Sequence, residues 1–140
     1  MMPPVVTALI EAAPSIRIEV MSPAFRKIHL GDGRALHHFA EGDEGDEFHD
    51  HPWSFTSEVL VGGYAEDVVV RLDPFTLMEQ RRLPGTAHQV DASHIHRITR
   101  LLEPKCWTLV TAGPAEREVR FYRHRDGGVQ SRPWNEGWPS

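Results

Sequence analysis

From Pro14 onward the chain never runs far without meeting a turn residue. The runs IRIEVM, FRKIHL, RALHHF, TSEVLVGGY, EDVVVRL, FTLMEQRRL, HQVDA, IHRITRLL, CWTLVTAG and EREVRFYR are rich in β-branched and aromatic side chains, and they are separated by GDG at 31–33, EGDEGDE at 41–47, DP at 73–74, PG at 84–85, EPK at 103–105, GP at 113–114 and DGG at 126–128. Glycine supplies backbone angles that other residues resist, and proline fixes its own, so these clusters reverse the chain. About ten short strands at this spacing predict an all-β antiparallel sandwich or barrel. Before it, VVTALIEAA at 5–13 predicts one short helix that stops at Pro14, because the residue before a proline is driven out of the helical region.

A chain of 140 residues is enough for one domain with a single core. The expected division is an N-terminal arm and helix over 1–14, a β-barrel over 15–126 and a tail over 127–140. The tail, SRPWNEGWPS, holds two of the four tryptophans and is expected to pack on the barrel or on a partner subunit. No apolar run approaches the roughly 20 residues of a membrane span. The N-terminal residues carry Glu11 and no preceding basic region, unlike a secretory leader, so a cytoplasmic location is expected. A net charge of -5 argues against nucleic acid as a partner. The single cysteine, Cys106, excludes an internal disulfide and a cysteine-rich zinc site, and its place in CWTLV predicts a buried apolar role.

Histidine is the outlier, with nine in the chain. In a strand, residues two apart share a face, so in FHDHPWSF His49 and His51 point together while Asp50 points away. If the strand continues, Phe55, Ser57 and Val59 join that face and Glu58 lies opposite, unless a turn at Pro52 changes the phase. His94 and His96 repeat the spacing in PGTAHQVDASHIHRITRL, where His88 also lies. Two such pairs on inward faces of a barrel would bring three or four imidazoles to one divalent metal. Arg100 would share the face of His96 in a regular strand and could hold a substrate carboxylate. In RALHHF alternation turns one of His37 and His38 inward, as a fourth ligand, a general base or a core histidine. Trp53, two residues after the H-x-H pair ends at His51, is the aromatic best placed for substrate stacking.

HDHPWSF followed by GGY, with PGTAHQVDASHIHR, CWTLVTAGP and the terminal RFY, resembles the cupins, a superfamily of small jelly-roll barrels, and within it a group of small single-domain bacterial and phage proteins. The likeness covers about residues 35–138. It implies a double-stranded β-helix barrel whose metal ligands fall on His49, His51 and the second-motif histidine, which alignment of the Pro-Gly turn and HRI puts at His96. His94 becomes a neighbour or substrate contact. The family's glutamate is expected four or five residues after the second histidine, where this chain has Phe55 and Thr56; Glu58 would have to replace it through a bulge, or the site uses three histidines alone.

The resemblance implies one divalent metal, iron first, with zinc, nickel or manganese as alternatives. It also implies a homodimer acting on a small-molecule substrate. The expected activity is that of a non-heme Fe(II)-type oxygenase acting on a small polar metabolite. Its rivals are a metal-independent sugar epimerase or isomerase, with Tyr64 or Tyr122 as acid, and a non-enzymatic binding barrel with a structural metal.

Overall fold

The computed structural model describes residues 2–43 and 45–139. Among the described residues twelve strands form two antiparallel six-stranded sheets that curl into a jelly-roll barrel. In spatial order the first sheet holds β1 (Arg17–Ser22), β2 (Phe25–His29), β3 (Arg34–Phe39), β10 (Cys106–Ala112), β5 (Phe55–Val61) and β8 (Ala87–Val90). The second holds β12 (Gly128–Pro133), β11 (Arg120–Arg125), β4 (Phe48–His49), β9 (His96–Leu101), β6 (Tyr64–Leu72) and β7 (Phe75–Arg82).

The first sheet has two different faces, as the alternation of its side chains requires. Ile28, Leu36, Trp107 and Leu109 point outward, where helix α1 (Pro4–Ala12) covers them with Val6, Leu9 and Ile10. A helix of nine residues is not stable alone, and this one has no side-chain cap, so it is held by that apolar contact. The opposite face points into the barrel. There Val59, Cys106 and Phe39 meet Tyr64, Ile98 and Leu101 of the second sheet. Cys106 is fully buried, and burial pushes its thiol up to about 11, which suits the apolar role expected of it.

Gly62 and Gly63 make the turn from β5 to β6 with φ of 89° and 87°. A Cβ at Gly62 would strike the carbonyl oxygen of Lys105, so both the dihedral and the space demand glycine. Gly62→Ala is expected to cost about 1–3 kcal/mol in urea unfolding.

The terminal segment is more regular than its composition suggests. Residues 128–133 pair with β11 as β12. Beyond them Trp138 donates its indole N–H to Glu47 at 2.7 Å and lies under the guanidinium groups of Arg123 and Arg132, whereas Trp134 is exposed.

Candidate metal centre

His49 ends the two-residue strand β4 and is the direct cross-strand partner of His96, the first residue of β9. The extended chain continues through Asp50, whose N–H reaches the Arg120 carbonyl, to His51, whose N–H reaches that of Ala92. His49 and His51 therefore both turn inward, and Asp50 turns out. The three imidazole rings pack together, with centroids 5.2 Å (His49–His51), 4.8 Å (His49–His96) and 4.8 Å (His51–His96) apart. One nitrogen from each lies within 4.8 Å of the others.

The tautomers follow from the partners of each Nδ1. His49 Nδ1 lies 3.1 Å from the Asp50 carbonyl and His51 Nδ1 lies 3.1 Å from the His94 carbonyl; a carbonyl only accepts, so both nitrogens carry the proton. His96 Nδ1 faces Glu66 Oε1 at 3.2 Å and donates to it. Each Nε2 is left with a bare lone pair. Those of His51 and His96 point at one another across 3.2 Å, a repulsive arrangement that a shared cation relieves. Two nitrogens bound to one ion at ~2.1 Å would be separated by roughly 3.0–3.4 Å, so the spacing suits a metal. Burial, then the neighbouring histidines, depress the pKa of His51 to about 2; burial, then His96, depress that of His49. Neutral imidazole is the ligand form.

Glu66 sits on the inner face of β6, between Tyr64 and Val68, and is almost completely buried. Its Oε1 accepts from His96 and, at 3.1 Å, from His94 Nε2, while Arg82 Nε approaches Oε2 at 3.3 Å. Burial raises its pKa, but the His94 and His96 hydrogen bonds and the Arg82 charge outweigh that and hold it below the usual carboxylate range. Glu66, His94 and His96 also form a group that could hold an ion. In it, however, the His96 proton and the Arg82 charge already satisfy the carboxylate. Glu66 therefore orients His96, as carboxylates behind metal-bound histidines do. Glu66→Gln is expected to weaken metal binding about 10–100-fold in chelator competition.

No protein-family model matches the sequence, and no curated protein does. Solved structures do. The cupin domain of Drosophila melanogaster CENP-C matches 78% of this chain and 92% of its own at 7% identity, with a TM-score of 0.54. CapF, crystallised with the inhibitor 3-isopropenyl-tropolone, matches 70% of this chain and 30% of its own at 11% identity, TM-score 0.53. Oxalate oxidase in complex with the substrate analogue glycolate matches 64% of this chain and 46% of its own at 16% identity, TM-score 0.46. The chain thus spans less than half the length of CapF and of oxalate oxidase. Its fold is the cupin fold.

Within the cupin barrel several expected site residues lie elsewhere. Phe55, Ser57 and Val59 face inward as strand parity requires, and Glu58 is exposed on the other side of β5, so it is not the carboxylate beside the histidines. Glu66 is. Its signal in the sequence was an acid two residues after Tyr64, on a face otherwise apolar. Arg100 is also outside, 51% exposed and within 3.9 Å of Glu79. The cause is a bulge at Thr99: Ala65 faces Arg100 but Glu66 faces Ile98, and the extra residue reverses the phase after Ile98. His94 lies in the turn before β9 rather than in the strand, its N–H on the Asp91 carbonyl, and meets the cluster through Glu66, through His51 and through the His96 ring, whose centroid is 5.0 Å from its own.

Tyr64 is buried on the inner face, and burial, then Glu66, raise its pKa well above the ordinary phenol range. Tyr122 is committed on the outer side, donating to Asp50 Oδ2 at 2.8 Å. His88 faces inward opposite Ser57, its buried Nδ1 without a partner among the described residues. From the acidic 41–47 loop, Asp43 Oδ2 accepts the Ile98 N–H at 2.8 Å and stands 3.9 Å from His49 Nε2.

His37 is the inward histidine of β3, packed on Phe25 and Phe39. Burial, then the charges of Lys27 and His29 on β2, depress its pKa to about 3. Below pH ~6.5 the unfolded chain takes a proton that the folded one refuses, so stability conferred by neutral His37 is complete above that value and falls as pH drops toward 3. His37→Phe is expected to flatten urea-midpoint against pH between about 6 and 4 relative to the parent.

Proposed function

We propose that this cupin holds one divalent metal on His49, His51 and His96 and is an Fe(II)-type oxygenase acting on a small polar metabolite. The observation that carries the reading is the convergence of three Nε2 lone pairs whose three Nδ1–H groups are already committed. A bound iron would supply positions for dioxygen and for a chelating anion beside its three neutral ligands. The chain's own residues do the positioning. The Asp50 and His94 carbonyls and the Glu66 carboxylate fix the three rings, and Arg82 keeps Glu66 ionised. Phe55, packed 5.1 Å from the His51 ring, covers one side of the cluster. His94 Nε2 is spent on Glu66, so its role in this reading is to hold the carboxylate.

Protein purified without an affinity tag, reconstituted anaerobically with Fe(II), should bind about one equivalent of iron and consume oxygen with a member of a panel of small carboxylic and amino acids. Iron bound without oxygen uptake on any of them would end the oxygenase reading and leave a structural metal. The metal-independent epimerase reading draws on Tyr64, the one tyrosine inside the barrel. It requires activity that survives chelator and is lost in Tyr64→Phe. The reading includes a homodimer, supported by Ile18 and Val20, which stand exposed on the edge strand β1; sedimentation velocity distinguishes dimer from monomer. No helix among the described residues is long and apolar enough to cross a membrane.

A further inference from the structure

A cavity of about 500 Å³ lies over the inward face of β1, β2 and β3, and none of the three metal-site histidines lines it. Its walls carry Arg17, Lys27 and Arg34 with His29 and His37, and among the described residues no carboxylate lines it. In a chain of net charge -5 this is a local reversal of sign. Trp53 forms part of the wall, and Ala35 and Val110 give it an apolar floor.

The cations are not equally free. Arg34 is bound to Asp32 at 2.7 Å, and Glu19, outside the cavity, is bound to His29 at 2.9 Å. Lys27 has no ion-pair partner within 4.0 Å among the described residues. Its Nζ stands 5.8 Å from the centroids of both Phe25 and Trp53. Glu19 faces it across the β1–β2 ladder but spends its carboxylate on His29. Burial draws the Lys27 pKa below the ordinary lysine value, with Glu19 opposing, so the charged form lacks the compensation an anion would give it. A half-buried ammonium against two aromatic faces, in a concave space of ligand size, is a built receptor for negative charge.

We propose that this cavity binds a small organic anion, its carboxylate or phosphate on Lys27 and Arg17 and its apolar or flat body against Trp53. The site is separate from the metal centre and does not rest on the oxygenase reading. The two are joined by packing alone: Trp53 meets Phe55 edge-on at 5.2 Å, and Phe55 meets His51.

Calorimetric titration of the 140-residue chain with benzoate, phenyl phosphate and, as the uncharged control, benzyl alcohol tests this. One or both anions should bind at one per chain and the alcohol should not, the two anions reporting which acid group the site takes. Lys27→Met should weaken binding about tenfold and Lys27→Arg should largely restore it. Arg17→Gln, on an exposed edge strand, is a second variant whose fold is not at risk and should also weaken binding. His49→Ala should leave anion affinity unchanged. Absence of binding at millimolar anion, equal binding of the alcohol, or affinity indifferent to both Lys27→Met and Arg17→Gln would overturn the proposal. Anion binding lost in His49→Ala would overturn it too, by assigning the anion to the metal centre.

Discussion

His51→Ala protein is expected to remain folded and to carry no more than about a tenth of the metal bound by the parent, read by elemental mass spectrometry after equal exposure to Fe(II). His51 is only 8% exposed, and its Nε2 is the one facing His96 at 3.2 Å. Removing it leaves two nitrogens on neighbouring strands, too few to compete with water for a divalent ion. The same substitution ends the lone-pair repulsion and removes a buried group that resists protonation. The metal-free variant should therefore unfold no earlier than the metal-free parent. That pairing of outcomes separates a site built for an ion from a histidine cluster that merely packs. Metal retained in full by His51→Ala would shift the ion to the alternative group of Glu66, His94 and His96.

Asp50→Ala should have the largest effect on stability, a loss of about 3–5 kcal/mol in urea unfolding. The side chain lies between the two metal-site histidines but faces away from them. One oxygen accepts the Arg120 N–H at 2.7 Å; the other accepts Tyr122 O–H at 2.8 Å and stands 2.9 Å from Arg117. Alanine would leave a buried phenol and a backbone N–H unpaired and an arginine without its counter-charge. It would also release β4, which is only two residues long and held to β11 by few ladder contacts. Asp50→Asn keeps the volume and one acceptor, so about 1–3 kcal/mol is expected. Its residual metal affinity, measured on the folded fraction, reports how far the carboxylate also positions the strand that presents His49 and His51.

The sequence motif HDH thus puts the candidate ligands His49 and His51 on one face of an extended segment and the hydrogen-bonded Asp50 on the other. The two histidines were legible because the pleat repeats every two residues, whatever the rest of the fold does. Carried past Pro52 the rule left the phase of Glu58 open, because the strand breaks between His49 and Phe55; the structure puts Phe55, Ser57 and Val59 inside and Glu58 outside. The rule failed for Arg100, where the Thr99 bulge changes the phase. His94 stands in a turn rather than in the strand, yet its ring still packs on that of His96, as a neighbour of the cluster. Glu66 lay in view on the face of Tyr64 and Val68, but its pairing with His96 depends on β6 lying beside β9 in the observed register. Nothing local to either strand specifies that neighbour.

By itself the sequence determined the strands and turns, the glycines that bend the chain between β5 and β6, and which residues of each regular strand share a face. These depend on backbone sterics and on the two-residue period, which act over a few residues. Only the tertiary structure decided that Glu66, not Glu58, orients His96, that Asp50 locks β4 to β11, and that Lys27 lies half-buried in a cavity lined by no described carboxylate. Those outcomes depend on which strands become neighbours and where a bulge shifts their register, and both are settled by packing between segments far apart in the chain.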